Sequence, residues 1–207
     1  MQGKTHLVVG TAVTMAVLHP DNVPELIGGT AIAALGTLIC DVDSDSSESN
    51  QKGSIAVGIG FIALLLLMLI EHKWNMGITD FLLNNSNIIR FIIGLVLFLV
   101  VCIFGKLHAH RTFMHSFLAG VILTGCLYIM FPTTIKYFIV AFISHLVLDV
   151  VNKKGEQLFY PLKIKVGLGL CSADGAFNKL LFGIGNIGLI VVYAVLIIRI
   201  VVKFVAS

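Results

Sequence analysis

The stretch IKYFIVAFISHLVLDVV, residues Ile135 to Val151, decides how the rest of the chain is read. It is about 17 residues long, the practical minimum for a helix that crosses a hydrocarbon core. Its polar groups are few, and Ser144, His145 and Asp149 gather towards one end. His145 and Asp149 stand four residues apart, which puts their Cβ atoms about 5–6 Å from each other on one face of a helix. An ionised Asp held at depth in a membrane costs roughly 2.5–3.5 kcal/mol, so it is normally turned towards a polar cavity or a partner. One cation can satisfy both side chains, whereas an Asp149 lying at the water boundary would simply hydrogen-bond His145.

Outward from this segment the chain is apolar almost throughout. Hydrophobic residues make up 57% of the 207 and charged residues 12%, and mean hydropathy is +1.00, more apolar surface than a soluble domain of this size can bury. Ser54–Ile70, Ile88–Gly105, Ser116–Phe131, Ile135–Val151 and Gly183–Val205 are predicted as membrane spans. Two shorter runs, Thr5–Leu18 and Leu26–Cys40, rich in Gly, Ala and Thr, read as a tight helical hairpin about the His19-Pro20-Asp21 turn, so that the chain makes five crossings without it and seven with it. The expected architecture is an all-α polytopic bundle of five to seven membrane segments forming a single domain over residues 1–207. Residues 152–180 should form a polar loop region whose lysines can meet lipid headgroups. No small-residue cleavage site follows Leu18, so the first run reads as mature structure rather than a signal peptide. The net charge of +3 is dispersed, which excludes a nucleic-acid partner and leaves membrane lipid as the expected one. Cys40, Cys102, Cys126 and Cys171 are widely spaced and contain no CxxC pair, so neither a disulfide framework nor a thiolate zinc site is expected.

Each crossing exchanges the two membrane faces. With seven segments, the face holding the N-terminus receives Asp41, Asp43, Asp45 and Glu48 after two crossings, and His108, His110, Arg111 and His115 after four. After six it receives the end of the helix that carries His145 and Asp149. His6 already lies there. Nine of the fourteen Lys and Arg residues (Lys4, Lys52, Lys106, Arg111, Lys153, Lys154, Lys163, Lys165 and Lys179) fall on the same face, which the positive-inside rule makes cytoplasmic. His72, Lys73 and Trp74 read as an interfacial anchor on the other side.

The chemistry of these clusters is that of metal ligation. His108-Ala109-His110-Arg111-Thr112-Phe113-Met114-His115 offers three imidazoles in eight residues, and neutral imidazole suits zinc and its first-row neighbours. His110 and His115 are the preferred ligands, with His108 as a substitute. Asp41-Val42-Asp43 supplies hard oxygen donors, which alone suit Mg²⁺ or Mn²⁺ and beside histidine also suit zinc. Arg111 can hold a phosphate or carboxylate by a bidentate fork.

Together Thr5-His6, Gly36, Asp41-x-Asp43, Ser47, His110-Arg111-x-x-x-His115-Ser116, Ser144-His145-x-x-x-Asp149 and Tyr160-Pro161 resemble the YdjM-type family of bacterial membrane-bound metal-dependent hydrolases, over nearly the whole chain. The resemblance implies a polytopic inner-membrane protein distantly similar to zinc-dependent phospholipase C, with phosphoesters such as phospholipids as substrates. It also implies a divalent metal, zinc with Mn or Mg as alternatives, held by His6, Asp41, Asp43, His110, His115, His145 and Asp149, with Arg111 on the substrate anion. Two positions depart from the family: Ser44 stands where many members have His, and Asn178 where many have Glu.

Hydrolysis at such a centre, with Asp41 or Asp43 taking the water proton and Arg111 stabilising developing charge, is the leading expectation. A divalent-cation transporter or sensor is a second class, and a catalytically inactive membrane scaffold a third. The His145-x-x-x-Asp149 pair also matches one fragment of a phosphatidic-acid phosphatase signature, but its companion motifs are absent.

Overall fold

The computed structural model describes residues 2–43, 73, 77–83, 87–172 and 175–206. The expected span Ser54–Ile70, the anchor residues His72 and Trp74, and Ser44, Asp45, Ser47 and Glu48 lie outside them. The described residues form α1 (Gly3–Leu18), α2 (Val23–Leu38, continued by a 3-10 turn Ile39–Asp43), α3 (Ile78–Leu83), α4 (Ile88–Lys106), α5 (Phe117–Met130), α6 (Ile135–Val150, entered through a 3-10 turn Pro132–Thr134) and α7 (Ala176–Ala206). The fold is all-α, with two isolated bridges but no strands among the described residues.

Local sequence sets the boundaries. At the end of α1, His19 takes a left-handed conformation (φ 48°) and its N–H donates to Met15 O, so the chain reverses at the predicted turn. Asn22 caps α2 by accepting from Glu25 N at 2.9 Å, and Pro24 sits in the first turn, where its missing N–H costs nothing. Asn87 and Ser116 cap α4 and α5 in the same way.

Among the described residues, four helical stretches are long and apolar enough to cross a membrane: Val23–Asp43, Ile89–Lys106, Pro132–Val150 and Ala176–Ala206. Their outward faces are lined by residues such as Ile92, Val96, Val100, Ile190 and Val201, all exposed. In a chain this apolar such faces meet lipid, and the protein is a membrane protein with transmembrane helices. Three boundaries differ from expectation. The 3-10 continuation of α2 gives a 21-residue stretch, so this half of the hairpin is long enough to span. α5 has only 14 residues, about 21 Å, short of a hydrocarbon core of about 30 Å. α7 starts at Ala176 rather than Gly183, because Asn178 and Lys179 are tolerated in a first turn beyond the apolar stretch, and the polar loop ends correspondingly early.

α1 is the central element, packed against α2, α6 and α7, while α2 packs on α6 and α4 on α5. Small residues set the close crossings, as expected for the hairpin. A Cβ on Gly29 would come within 2.6 Å of Tyr137 Cε1, and one on Gly36 within 2.9 Å of both Ala141 Cβ and Phe138 O. Two hydroxyls inside the bundle are satisfied by their own helices, Thr14 Oγ1 donating to Gly10 O and Thr30 Oγ1 to Leu26 O. All four cysteines are free.

At the far end of the bundle Asp21 pairs with Arg199 and Lys203, each at 2.7 Å. Glu25 there accepts from Lys136 Nζ and Tyr137 OH at 2.9 and 2.8 Å. At the near end the segment after α6 folds back on itself. Glu156 and Val166 exchange backbone bonds of 2.9 and 2.8 Å, Leu168 N donates to Val150 O, and Gln157 N donates to Arg111 O. That last bond ties the loop to the histidine segment.

Candidate metal centre

Four separate pieces of chain meet at the near end. His6 comes from the first turn of α1, Asp41 and Asp43 from the 3-10 end of α2, and His110, Arg111 and His115 from the turn before α5. His145 and Asp149 come from the last two turns of α6. All seven predicted ligands and Arg111 are thus brought together. His6, His115 and His145 are fully buried, Asp43 and Asp149 nearly so, and His110 and Asp41 reach the rim.

The contacts are short and shared. His6 Nε2 is 3.1 Å from Asp149 Oδ1, and Arg111 Nη2 is 3.1 Å from Asp149 Oδ2. His115 Nε2 lies 3.6 Å from Asp149 Oδ2 and 3.8 Å from Asp41 Oδ1, and His145 Nε2 lies 4.0 Å from the same Asp41 oxygen. The His6 and His145 rings stack with centroids 3.9 Å apart.

Backbone and carboxylate partners fix which nitrogen of two rings is free. His145 Nδ1 is 2.7 Å from Thr37 O, and a carbonyl can only accept, so Nδ1 carries the proton and Nε2 presents a lone pair to the cluster. His110 Nδ1 donates in the same way to Asp43 Oδ1 at 2.7 Å, leaving its Nε2 free. This carboxylate–imidazole arrangement orients a ligating histidine. It gives Asp43 a different place from Asp41: Asp43 holds His110, while Asp41 faces the imidazole Nε2 atoms. His108, the substitute ligand, is turned elsewhere. Its Nδ1 bonds Phe104 O and its ring sits against Phe104, Phe113 and Tyr160, because the end of α4 offers it a carbonyl before the cluster can.

The unpartnered atoms test whether a cation fits. Among the described residues, Nδ1 of His6, both nitrogens of His115, Nε2 of His145 and Oδ2 of Asp43 are buried without a hydrogen-bond partner. Each such atom costs roughly 1–3 kcal/mol if left so. A shared divalent ion relieves several at once, and the mixture of imidazole nitrogen and carboxylate oxygen suits zinc or another first-row metal. Three sets have donor atoms within 4.8 Å of one another: His6, Asp41 and His145; Asp41, His110 and His115; and His115, His145 and Asp149. The residues fit a metal.

Glu156 is a further polar group that the sequence reading passed over. It is fully buried with both carboxylate oxygens unpartnered. Burial and the neighbouring Asp149 charge push its pKa up to about 9, against the pull of Arg111. Its signal was present: Glu156 is the only acidic residue between Asp149 and Asp174, set among four lysines after Gly155. Asn178, the departure near the last helix, is buried in the first turn of α7, where its Oδ1 accepts from Gln2 N at 3.4 Å.

Fold and site therefore define a polytopic helical membrane protein with a buried His/Asp cluster at one end. The chain belongs to the YdjM inner membrane protein family, which it matches over residues 1–207. It is also 26% identical, over 152 residues, to dipeptide and tripeptide permease A of Salmonella typhi and of Salmonella typhimurium strain LT2. That match covers 58% of this chain and 30% of the permeases' length. No solved structure matches.

Proposed function

We propose that this protein is a membrane-bound metal-dependent hydrolase acting on a phosphoester such as a phospholipid. The observation that carries the reading is the convergence of buried imidazole nitrogens and carboxylate oxygens in one cluster, with Arg111 beside them. A divalent cation, zinc by the donor set with manganese or magnesium as alternatives, would be held by His6, Asp41, His110, His115, His145 and Asp149. When bound it would supply the Lewis acidity that lowers the pKa of a water to about 7. Asp149 fixes one end of the Arg111 guanidinium, and Nε and Nη1, which have no hydrogen-bond partner among the described residues, would donate to two phosphoryl oxygens. Asp43 keeps His110 in one tautomer through Oδ1, and its Oδ2 would act as the proton acceptor for water. Positive charge on the same side, with Lys153, Lys154, Lys163 and Lys165 exposed on the adjoining loop, supports a cytoplasmic-facing site in the inner membrane.

The permease likeness favours a second reading, transport. Against it, the charges at the far end are already paired among themselves, Asp21 with Arg199 and Lys203 and Glu25 with Lys136. They do not continue the site through the bundle. Full-length protein in liposomes decides between the two. Hydrolysis of bis(p-nitrophenyl) phosphate or of phosphatidyl lipids that is lost to a chelator and restored by zinc or manganese supports the hydrolase. Uptake of a dipeptide or of the metal, without hydrolysis by metal-loaded protein, overturns it.

A further inference from the structure

We infer that the cluster holds two divalent cations side by side, with Asp41 as the ligand common to both. The inference rests on the metal-centre reading above and concerns how many ions the residues can serve.

Ligands on opposite sides of one ion, each at about 2.1 Å, are about 4.2 Å apart. A single-ion site would therefore gather all its donor atoms into one set of about that span. Instead the six residues fall into three overlapping sets, and no set contains both His6 and His110.

The sharing pattern decides which sets can be filled together. A neutral imidazole nitrogen has one lone pair and serves one ion, whereas a carboxylate has two oxygens and can bridge. The set of His115, His145 and Asp149 takes an imidazole from each of the other two, so it competes with both. The sets of His6, Asp41 and His145 and of Asp41, His110 and His115 have only Asp41 in common, and Asp41 is a carboxylate. They can be occupied at the same time, one ion on the α1/α6 side and one on the side of the turn before α5. Asp149 then lies between them, 3.1 Å from His6 Nε2 in the first set and 3.6 Å from His115 Nε2 in the second.

Two independent observations agree. Buried nitrogens with no hydrogen-bond partner among the described residues occur in both sets: His6 Nδ1 and His145 Nε2 in one, both nitrogens of His115 in the other. The charge is also that of a two-ion site. With Glu156 protonated, the carboxylates of Asp41, Asp43 and Asp149 stand against the Arg111 guanidinium. One dication would leave the cluster neutral, whereas two make it positive and receptive to an anionic phosphoester. Two-ion sites with ions about 3.5–4 Å apart clamp both the attacking and the leaving oxygen of a phosphoryl group.

The test uses the metal alone. Full-length protein in detergent is stripped by chelation, reloaded with Mn²⁺, desalted, and analysed for metal per chain and by electron paramagnetic resonance. Two manganese per chain with the spectrum of an exchange-coupled pair is the expected result. His6→Ala and His110→Ala, each checked for folding by circular dichroism, should halve the metal content and restore an isolated-ion spectrum. One manganese per chain in the parent, uncoupled, overturns the two-ion inference and leaves the metal-centre reading standing; a folded parent that retains no metal overturns both.

Discussion

Gly36 links helix packing to the centre, and replacing it by alanine should weaken metal binding without touching a ligand. A Cβ at this position would stand 2.9 Å from Ala141 Cβ and from Phe138 O, against 3.4–4 Å for ordinary contact. Because one of those atoms is backbone, α2 and α6 must separate by about 0.5–1 Å. The next residue, Thr37, accepts the His145 Nδ1 proton across the same crossing at 2.7 Å. Opened by that amount the bond reaches roughly 3.2–3.7 Å, the edge of hydrogen-bonding range or beyond it. Overpacking of this kind costs about 1–3 kcal/mol, and losing the partner that orients a ligating histidine typically lowers metal affinity about 10–100-fold. Gly36→Ala should therefore melt earlier than the parent and lose zinc to a chromophoric chelator at correspondingly lower chelator strength. Gly125→Ala and Gly183→Ala, where a Cβ meets nothing within 4 Å, should do neither. An unchanged melting temperature together with unchanged zinc affinity in Gly36→Ala would refute the coupling.

Three further outcomes follow from the site. Arg111→Lys replaces a fork by a point charge beside Asp149, and should lower kcat/KM for a phosphoester about 10–100-fold, the worth of a charge-assisted hydrogen bond, with metal content unchanged; equal kcat/KM would remove Arg111 from substrate binding. Glu156, with a pKa near 9 in the folded metal-free protein against 4.5 for the model carboxyl, gains a proton on folding at neutral pH. The protonated group favours the fold below about pH 4.5, and that advantage is lost as pH rises towards 9, at up to about 1.4 kcal/mol per unit. Metal-free Glu156→Gln should accordingly outlast the parent on heating at pH 8 and match it near pH 4.5, and a parent that is the more stable at pH 8 contradicts the assigned environment. His108→Ala should keep full metal content, since its ring is engaged by Phe104 and Tyr160, and a loss of metal would return it to the ligand set.

What could be read in the sequence followed from polar residues standing out against an apolar background. His145 and Asp149 are conspicuous inside Ile135–Val151, and alternation of faces was enough to bring His6, Asp41, Asp43, His110 and His115 to them. Features that depend on distant contacts were not legible. Glu156 is buried because its backbone pairs with Val166 and its neighbour Gln157 bonds Arg111 O, and neither pairing leaves a local pattern. The division of labour between Asp41 and Asp43 turns on which imidazole nitrogen each one faces, which two-residue spacing does not specify. One helix start was misplaced where hydropathy and helicity part company: α7 runs back through Asn178 and Lys179 although these are polar. The end of α5 at Met130 falls where Pro132 bars continuation, one residue from the expected Phe131.

The central claim is that nitrogen and oxygen donors from four pieces of chain hold a metal. X-ray absorption at the zinc edge, on protein purified with zinc and on a folded His145→Ala/Asp149→Ala double variant, addresses it most directly. The account predicts a first shell of nitrogen and oxygen at about 2.0–2.2 Å with imidazole outer-shell scattering in the parent, and loss of bound zinc in the variant. A sulfur shell at about 2.3 Å, or zinc retained unchanged by the folded variant, would contradict it.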